Sequence, residues 1–332
     1  MPRLRIVAAS IAVLLAAGCG TDSDAARSAS EGPPPAPAPA PVDPAEVQAN
    51  ELGRIPVLMY HRIVDTPTSV YDRTPADFRA ELERLARENY VPITTAELAA
   101  GRIDIPAGTH PVVLTFDDGD PTQITLGPDG TPAPGTAMRI LLDVAAAHPG
   151  FRPVASLYVN AEPFGGGAAG TAALRWLHDN GFEIGNHTFS HLNLRTASAE
   201  KARADIARGD RAIRQAVPGH EPRTLALPFG ARPRDPQLAA RGDGYDYSGV
   251  LLVGANPAPS PFSEDFKPEA IPRIRSQGPT GSEAEYGSTV WLDKMAASPG
   301  SRYTSDGNPD RISFPTGAKG PAAPYAAAAA PY

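Results

Sequence analysis

The segment His110–Gly119 (HPVVLTFDDG) constrains this 332-residue chain more than any other, because a run of strand formers ends in two adjacent carboxylates. From His110 to Phe116 the run has no polar alternation, so the strand it forms must be covered on both faces, as in parallel sheets flanked by helices. Asp117 and Asp118 then emerge together at the strand's carboxyl end, the edge where α/β folds place their chemistry.

Two neighbouring carboxylates are costly unless something consumes their charge, and a metal ion does so. Downstream, directly after the strand-like Phe182–Gly185, stand His187 and His191 with three residues between them. On a helical turn that i, i+4 spacing puts both rings on one face. One carboxylate with two neutral imidazoles leaves metal positions open for water and substrate, as hydrolytic sites require, and frees the second carboxylate to act as a base. Singly, Asp-Asp-Gly is a common capping turn and His-x3-His a common solvated helix face. It is their order, each behind a buried strand, that joins them.

Between the motifs, strand-like and helix-like runs alternate. Thr74–Tyr90 carries Phe78, Leu82, Leu85 and Ala86 at helical spacing, with Thr74 as N-cap and Pro75 in the first turn. Thr136–Ala147, Thr171–Asn180 and Glu200–Val217 repeat the helical pattern. Ile55–Tyr60, Val154–Asn160, Thr224–Pro228, Ser248–Val253 and Ile271–Ile274 read as strands. The alternation predicts an α/β fold, a distorted or incomplete (β/α) barrel with its site at the strands' carboxyl ends.

TFDDG followed by NHTFSH resembles the first two motifs of the NodB-homology polysaccharide deacetylases (carbohydrate esterase family four type), metal-dependent enzymes that remove acetyl groups from sugar polymers. The resemblance runs from about Ile55 to about Ile274 and implies the same fold. It implies Asp117 as general base and Asp118, His187 and His191 as ligands of a divalent metal. Zinc is the default, and the same donors accept cobalt, nickel or manganese. A water whose pKa the metal lowers from about 15.7 towards about 7 would attack the acetyl carbonyl, with the metal and a backbone N–H stabilising the oxyanion. In the family that N–H lies in an Arg-x-Pro-Tyr or Arg-x-Pro-Phe motif. Here the segment is Leu225–Gly230, so Pro228, Phe229 and Gly230 are expected at the oxyanion and substrate, while Ala226 stands where many members have arginine. Orientation of the base then passes to another residue, for which Arg273 is the candidate; the alternative is a surface arginine at a strand end.

The family's late Leu-x-His motif, source of the acid that protonates the leaving group, has no counterpart, since no histidine follows His220. An amine departs poorly unprotonated. The best substitute is His61, which closes the apolar run Ile55–Tyr60; PVLMYHRI resembles the opening of the subgroup that includes bacterial poly-N-acetylglucosamine deacetylases, where the acid histidine comes early. The alternative is a hydrogen-bonded strand-end histidine. His110, His148, His178 and His220 read as structural or surface residues.

Arg3 and Arg5 before the apolar Ile6–Ala17 and small Gly18 give the order of a secretory signal, too short for a convincing membrane span. Cys19, the one cysteine, follows Ala16-Ala17-Gly18 in a lipobox-like setting; lipidation there would anchor the chain on the outer face of the bacterial cell membrane, and cleavage nearby would secrete it. Gly32–Pro44 alternates proline and reads as a stalk on the order of 40 Å long. The expected organisation is a signal over 1–18, a lipobox cysteine and Pro/Ala-rich linker over 19–50, a catalytic domain over 51–316, and a disordered low-complexity tail over 317–332. Removing Arg3 and Arg5 from a formal charge of −7 leaves 28 basic against 37 acidic residues, or −9, which argues against nucleic acid as a partner. Asp120–Gly135 and Asn256–Pro268 read as surface excursions; the first either shapes substrate access or is incidental, and Phe262 and Phe266 in the second either stack on sugar or pin their loop. The expected protein is an exported, monomeric deacetylase of acetylated polysaccharide. The alternatives are an O-acetyl esterase of the xylan type and a non-catalytic glycan-binding surface lipoprotein.

Overall fold

A computed structural model describes residues 42–332; the expected signal, Cys19 and all of the proline-rich stretch up to Pro41 lie outside the described residues. Helices start where the sequence can cap them. Thr74 Oγ1 accepts the Asp77 N–H at 3.0 Å ahead of α1 (Pro75–Arg87), with Pro75 at the first helical position where no intrahelical donor is needed. β1 (Val57–Tyr60) precedes α1, and β2 (Tyr90–Ile93) and α2 (Thr95–Ala99) follow it, α2 opening on a Thr94/Glu97 capping box. Then come β3 (His110–Phe116), α3 (Ala137–Ala147), β4 (Ser156–Val159), α4 (Gly167–Asp179), β5 (Glu183–Asn186), α5 (Ala199–Ala216) and β6 (Thr224–Ala226). The remainder is α6 (Gln237–Ala240), the hairpin β7 (Arg241–Gly242) and β8 (Tyr245–Asp246), β9 (Gly249–Leu251), β10 (Ile274–Arg275), α7 (Ser288–Ala297), β11 (Ile312–Phe314) and β12 (Ala329–Pro331).

The main sheet runs β10-β1-β3-β4-β5-β6-β9, every pairing parallel, with β2 beside the first half of β3. It curls on itself. Ile271 bridges Leu251 at the end of β9, and three residues later Ile274 pairs with Leu58 of β1, so one short crossover links the last strand to the first. The result is the distorted (β/α) barrel that the alternation predicts.

Strand periodicity divides the core. Leu58, Tyr60, Leu114 and Phe116 pack outwards with Phe78, Leu82, Met138 and Leu141 of α1 and α3, while Val57, Val113, Tyr158, Ala226 and Leu251 belong to a second, interior cluster. Phe262 and Phe266 join that second cluster; Phe262 sits edge-on to Tyr325 at 5.1 Å, so these aromatics pin their loop. The tail expected to be disordered is ordered: β12 pairs with β11, and the Tyr332 hydroxyl donates to the Ala49 carbonyl at 2.8 Å. The part of the linker from Val42 to Asn50 is likewise tied down, with Ala49 buried and the Asn50 N–H donating to Thr304. Backbone pairing overrode an Ala/Pro-rich composition at both ends.

Candidate active site

The period that sorts the core also sorts the site. Two residues beyond Val113 and Thr115 on the inward side of β3 comes Asp117, and two beyond Val57 and Met59 on β1 comes His61. β1 and β3 are neighbours, Tyr60 opposite Phe116, and the Asp117 N–H closes the ladder on the Tyr60 carbonyl at 3.0 Å. His61 and Asp117 therefore stand side by side, with His61 Nε2 4.0 Å from Asp117 Oδ2.

Arg273 enters from the crossover that closes the barrel. Its side chain is wholly buried, and its guanidinium grips Asp117 with two 2.7 Å bonds, one to each carboxylate oxygen. A third donation reaches Thr115 Oγ1 at 3.2 Å, and Nε donates to the Leu252 carbonyl at 2.7 Å. Burial by itself would raise the Asp117 pKa; the Arg273 charge, with His187 and His61 beyond it, holds it far below the usual carboxylate range. Arg273 is thus a buried partner of Asp117 rather than a surface arginine. His61 is pushed down by burial against the opposing pull of Asp117 and Asp118, its Nδ1 is buried without a partner, and its ring lies 4.8 Å from that of Tyr71.

Asp118 turns out of the strand with φ +76°, a left-handed conformation unusual for any residue but glycine, and Gly119 follows at +69°. Its carboxylate oxygen Oδ1 lies 3.4 Å from His187 Nε2 and 3.5 Å from His191 Nε2. Burial raises the Asp118 pKa, but His187 outweighs it and the net shift is downward.

The two histidines meet there without the helical turn their spacing suggests. His187–His191 is a loop leaving β5, with φ of +62° at Thr188 and +55° at His191. Its N–H groups are taken by α5 and β4 instead of by the preceding turn: Phe189 donates to the Asp205 carbonyl, Ser190 to the Asp205 carboxylate, and His187 to Val159. Gly209 permits this, since a Cβ there would lie 2.4 Å from the Asn186 side-chain oxygen. His187 is fully buried; its Nδ1 meets the Ala226 carbonyl at 2.9 Å, and because a carbonyl can only accept, Nδ1 carries a proton. Nε2 is left as a buried lone pair with no partner. Ligands at about 2.0–2.1 Å from a tetrahedral metal stand about 3.4 Å apart, which matches the Asp118–His187 and Asp118–His191 separations. The orphaned nitrogen and this spacing fit a divalent ion.

Pro228–Gly230 forms a tight turn after β6, with Phe229 at φ +58° and 64 % exposed, its ring edge-on to His191 at 4.5 Å. The Gly230 and Ala231 N–H groups go to the Leu227 and Pro228 carbonyls; the Phe229 N–H has no acceptor among the described residues. Sequence reasoning passed over Gln123. It lies in the Asp120–Gly135 excursion yet is fully buried, its amide donating to the carbonyls of both His61 and Asp117. A glutamine in a Pro/Gly-rich loop carries no signal that distinguishes it from a solvated one.

Two aspartates, two histidines and a paired arginine thus meet at the carboxyl edge of a curled parallel sheet on an α/β barrel. Residues 104–248 match the polysaccharide deacetylase family model. A chitooligosaccharide deacetylase from Bradyrhizobium sp. (strain ANU 289) is 30 % identical over 131 residues, 39 % of this chain and 50 % of that protein. A peptidoglycan-N-acetylglucosamine deacetylase from Bacillus cereus is 25 % identical over 160 residues, 48 % of this chain and 51 % of that one. The chain therefore spans about half the length of these curated relatives. A Streptococcus pyogenes deacetylase solved in complex with acetate superposes with a TM-score of 0.53 at 21 % identity, over 67 % of this chain and 92 % of that one. Over residues 104–248 the chain is thus similar to the polysaccharide deacetylases. The family match is narrower than the stretch from Ile55 to Ile274, and both His61 and Arg273 fall outside it.

Proposed function

We propose that the protein is a metal-dependent hydrolase that removes N-acetyl groups from an amino-sugar polysaccharide. The observation that carries this reading is the pairing of a vacant-lone-pair ligand set, Asp118, His187 and His191, with a second carboxylate, Asp117, that a buried arginine keeps ionised. A protein that only bound metal or glycan would need no such spare base. Zinc is the default ion for these donors, with cobalt, nickel or manganese also suited. Held there, it supplies Lewis acidity that polarises the acetyl carbonyl and makes water a better nucleophile at neutral pH.

The chain's own residues do the rest. Asp117, aimed by Arg273, accepts the proton of the attacking water through the lone pairs the arginine leaves free. The Phe229 N–H, left without a backbone acceptor among the described residues, would donate to the oxygen on which charge develops, and the exposed Phe229 ring offers an apolar face to the sugar. His61, 4.0 Å from Asp117, delivers a proton to the departing amine. Its burial favours a neutral imidazole at rest, which suits a group that receives the proton during the cycle and passes it on. Export, with lipidation at Cys19, belongs to the same proposal and rests on the sequence; no helix among the described residues is long and apolar enough to cross a membrane.

The test is acetate release from N-acetylglucosamine oligomers and from acetylated xylan, with zinc added or chelated. Zinc-dependent release from the amino sugar, lost in Asp117→Ala although zinc still binds, is the expected outcome. Release from xylan alone would make the protein an esterase, and an unimpaired Asp117→Ala would remove Asp117 from the mechanism.

A further inference from the structure

Parallel strands lose their mutual hydrogen bonds where they end, and catalytic groups placed just past that point need another restraint. The last ladder bond between β1 and β3 is Asp117 N–H to the Tyr60 carbonyl. One step further, the carbonyls of His61 and Asp117 would diverge with nothing between them. Gln123 fills that gap: its Nε2 donates to the His61 carbonyl at 3.0 Å and to the Asp117 carbonyl at 2.5 Å. Two acceptors facing one atom identify it as the NH2 group, because a flipped amide would set oxygen against oxygen.

The residue is built in from both sides. Its N–H donates to the Asp120 carbonyl at 2.9 Å, and its own carbonyl accepts the Met138 N–H at 2.9 Å in the first turn of α3. The neighbouring Thr122 Oγ1 accepts the Ile63 N–H at 3.0 Å, so the same turn also holds the chain after His61. The Gln123 Oε1 atom is buried without a partner. An unmatched buried amide oxygen is destabilising and offsets part of what the two donations contribute.

We propose that Gln123 is a positioning residue: its carboxamide ties the end of β1 to the end of β3 and so sets the spacing of His61 and Asp117 for proton transfer. This rests on the hydrolase reading above. It also gives the Asp120–Gly135 excursion a task, as the support from which the tie is made.

Gln123→Met keeps the length and removes both donors. The expected result is a kcat per folded molecule lower by about 10- to 100-fold, the scale of an ångström's misplacement, with KM within twofold and zinc content unchanged. A purely structural residue would instead lower Tm and leave kcat per folded molecule intact, and that outcome, or an unchanged kcat, overturns the proposal. Gln123→Glu, which keeps the shape but gives up the donors when ionised, must lower kcat in the same way if the methionine variant folds poorly. Crystal structures of the wild type and Gln123→Met supply a readout that needs no substrate: the separation of His61 and Asp117, 4.0 Å in the wild type, should lengthen by about 1 Å, and an unchanged separation overturns the proposal. Failure of wild-type protein to release acetate would instead defeat the hydrolase reading, while the two structures would still decide the role of Gln123.

Discussion

Asp117 and Glu51 are both almost wholly buried carboxylates, yet the protein treats them in opposite ways. Asp117, at the carboxyl end of β3, is gripped by Arg273 and stays ionised well below the ordinary range. Glu51, just ahead of β1, has only neutral donors: the Ser313 N–H at 2.8 Å, and more distantly Tyr303, Ser305 and the Asp306 N–H. Burial and the neighbouring Asp306 push its pKa up to about 7, while Arg311 is committed to Asp306 at 2.6 Å. Burial does not decide the charge of a carboxylate; the counter-ion does. Glu51 joins the segment before β1 to residues 303–313 and works as a hydrogen-bond acceptor. Asp117 has a wholly buried arginine that holds both of its carboxylate oxygens.

The hardest way to break the contrast is to take the arginine away. Arg273→Met leaves an uncompensated charge beside Thr115 in the barrel, and we expect a loss of about 3–5 kcal/mol in urea unfolding, together with acetate release below about 1 % of wild type. Adding Asp117→Asn removes the orphaned charge and should restore most of the stability with none of the activity. If stability does not recover in the double variant, Arg273 matters to the barrel for some reason other than Asp117.

The difference between these two regions explains what the sequence could reveal. β3 matches its sequence boundaries because seven buried residues leave no other reading, and Thr74 and Thr136 cap the helices expected of them. Asp118, His187 and His191 lie together, and Arg273 meets Asp117, because β3 and β5 end at one edge and the segment just ahead of β10 returns to it. Spacing misled at His187–His191, where i, i+4 separation arises from a loop whose donors go to α5. Long-range pairing is invisible in composition: the Ala/Pro-rich tail reads as disordered until β11 supplies a partner, and Gln123 reads as a loop residue until the two carbonyls are placed. Glu51 carried no signal, because nothing near it in sequence announces burial against residues some 250 positions away.

A gentler test reverses the sign. The folded pKa of Glu51 lies above its ordinary 4.5, so its contribution to stability is complete below that value and fades as pH rises through about 7. Asp117 behaves oppositely, stabilising above about pH 3.8 and failing only as pH falls through its lowered pKa. Between pH 5 and 8 Asp117 is therefore flat while Glu51 slopes. Glu183, raised by its own burial, slopes the same way, so the comparison must be made between variants. Glu51→Gln should match wild type at pH 4 and exceed it by up to about 3 kcal/mol at pH 8, since the rise from 4.5 to about 7 carries about 1.36 kcal/mol per pH unit. Equal stability at pH 8 would mean that Glu51 finds a counter-charge or water on ionising, and the contrast with Asp117 would shrink to geometry.

The smallest effect separates the two regions by ligand. Zinc at a hundredfold excess over its Kd should add about 2.7 kcal/mol to the folded state, because the unfolded chain has no assembled Asp118, His187 and His191. His187→Ala should abolish that increment, and Glu51→Gln should leave it whole, since Glu51 shares no hydrogen-bond partner with the site. Thermal unfolding with and without zinc reads all three proteins. An increment that survives in His187→Ala would place the ion elsewhere and leave the buried Nε2 without its explanation. One that disappears in Glu51→Gln would show that the edge holding the charge and the seam avoiding it are coupled through the barrel, so that neutralising Glu51 is felt at the metal ligands.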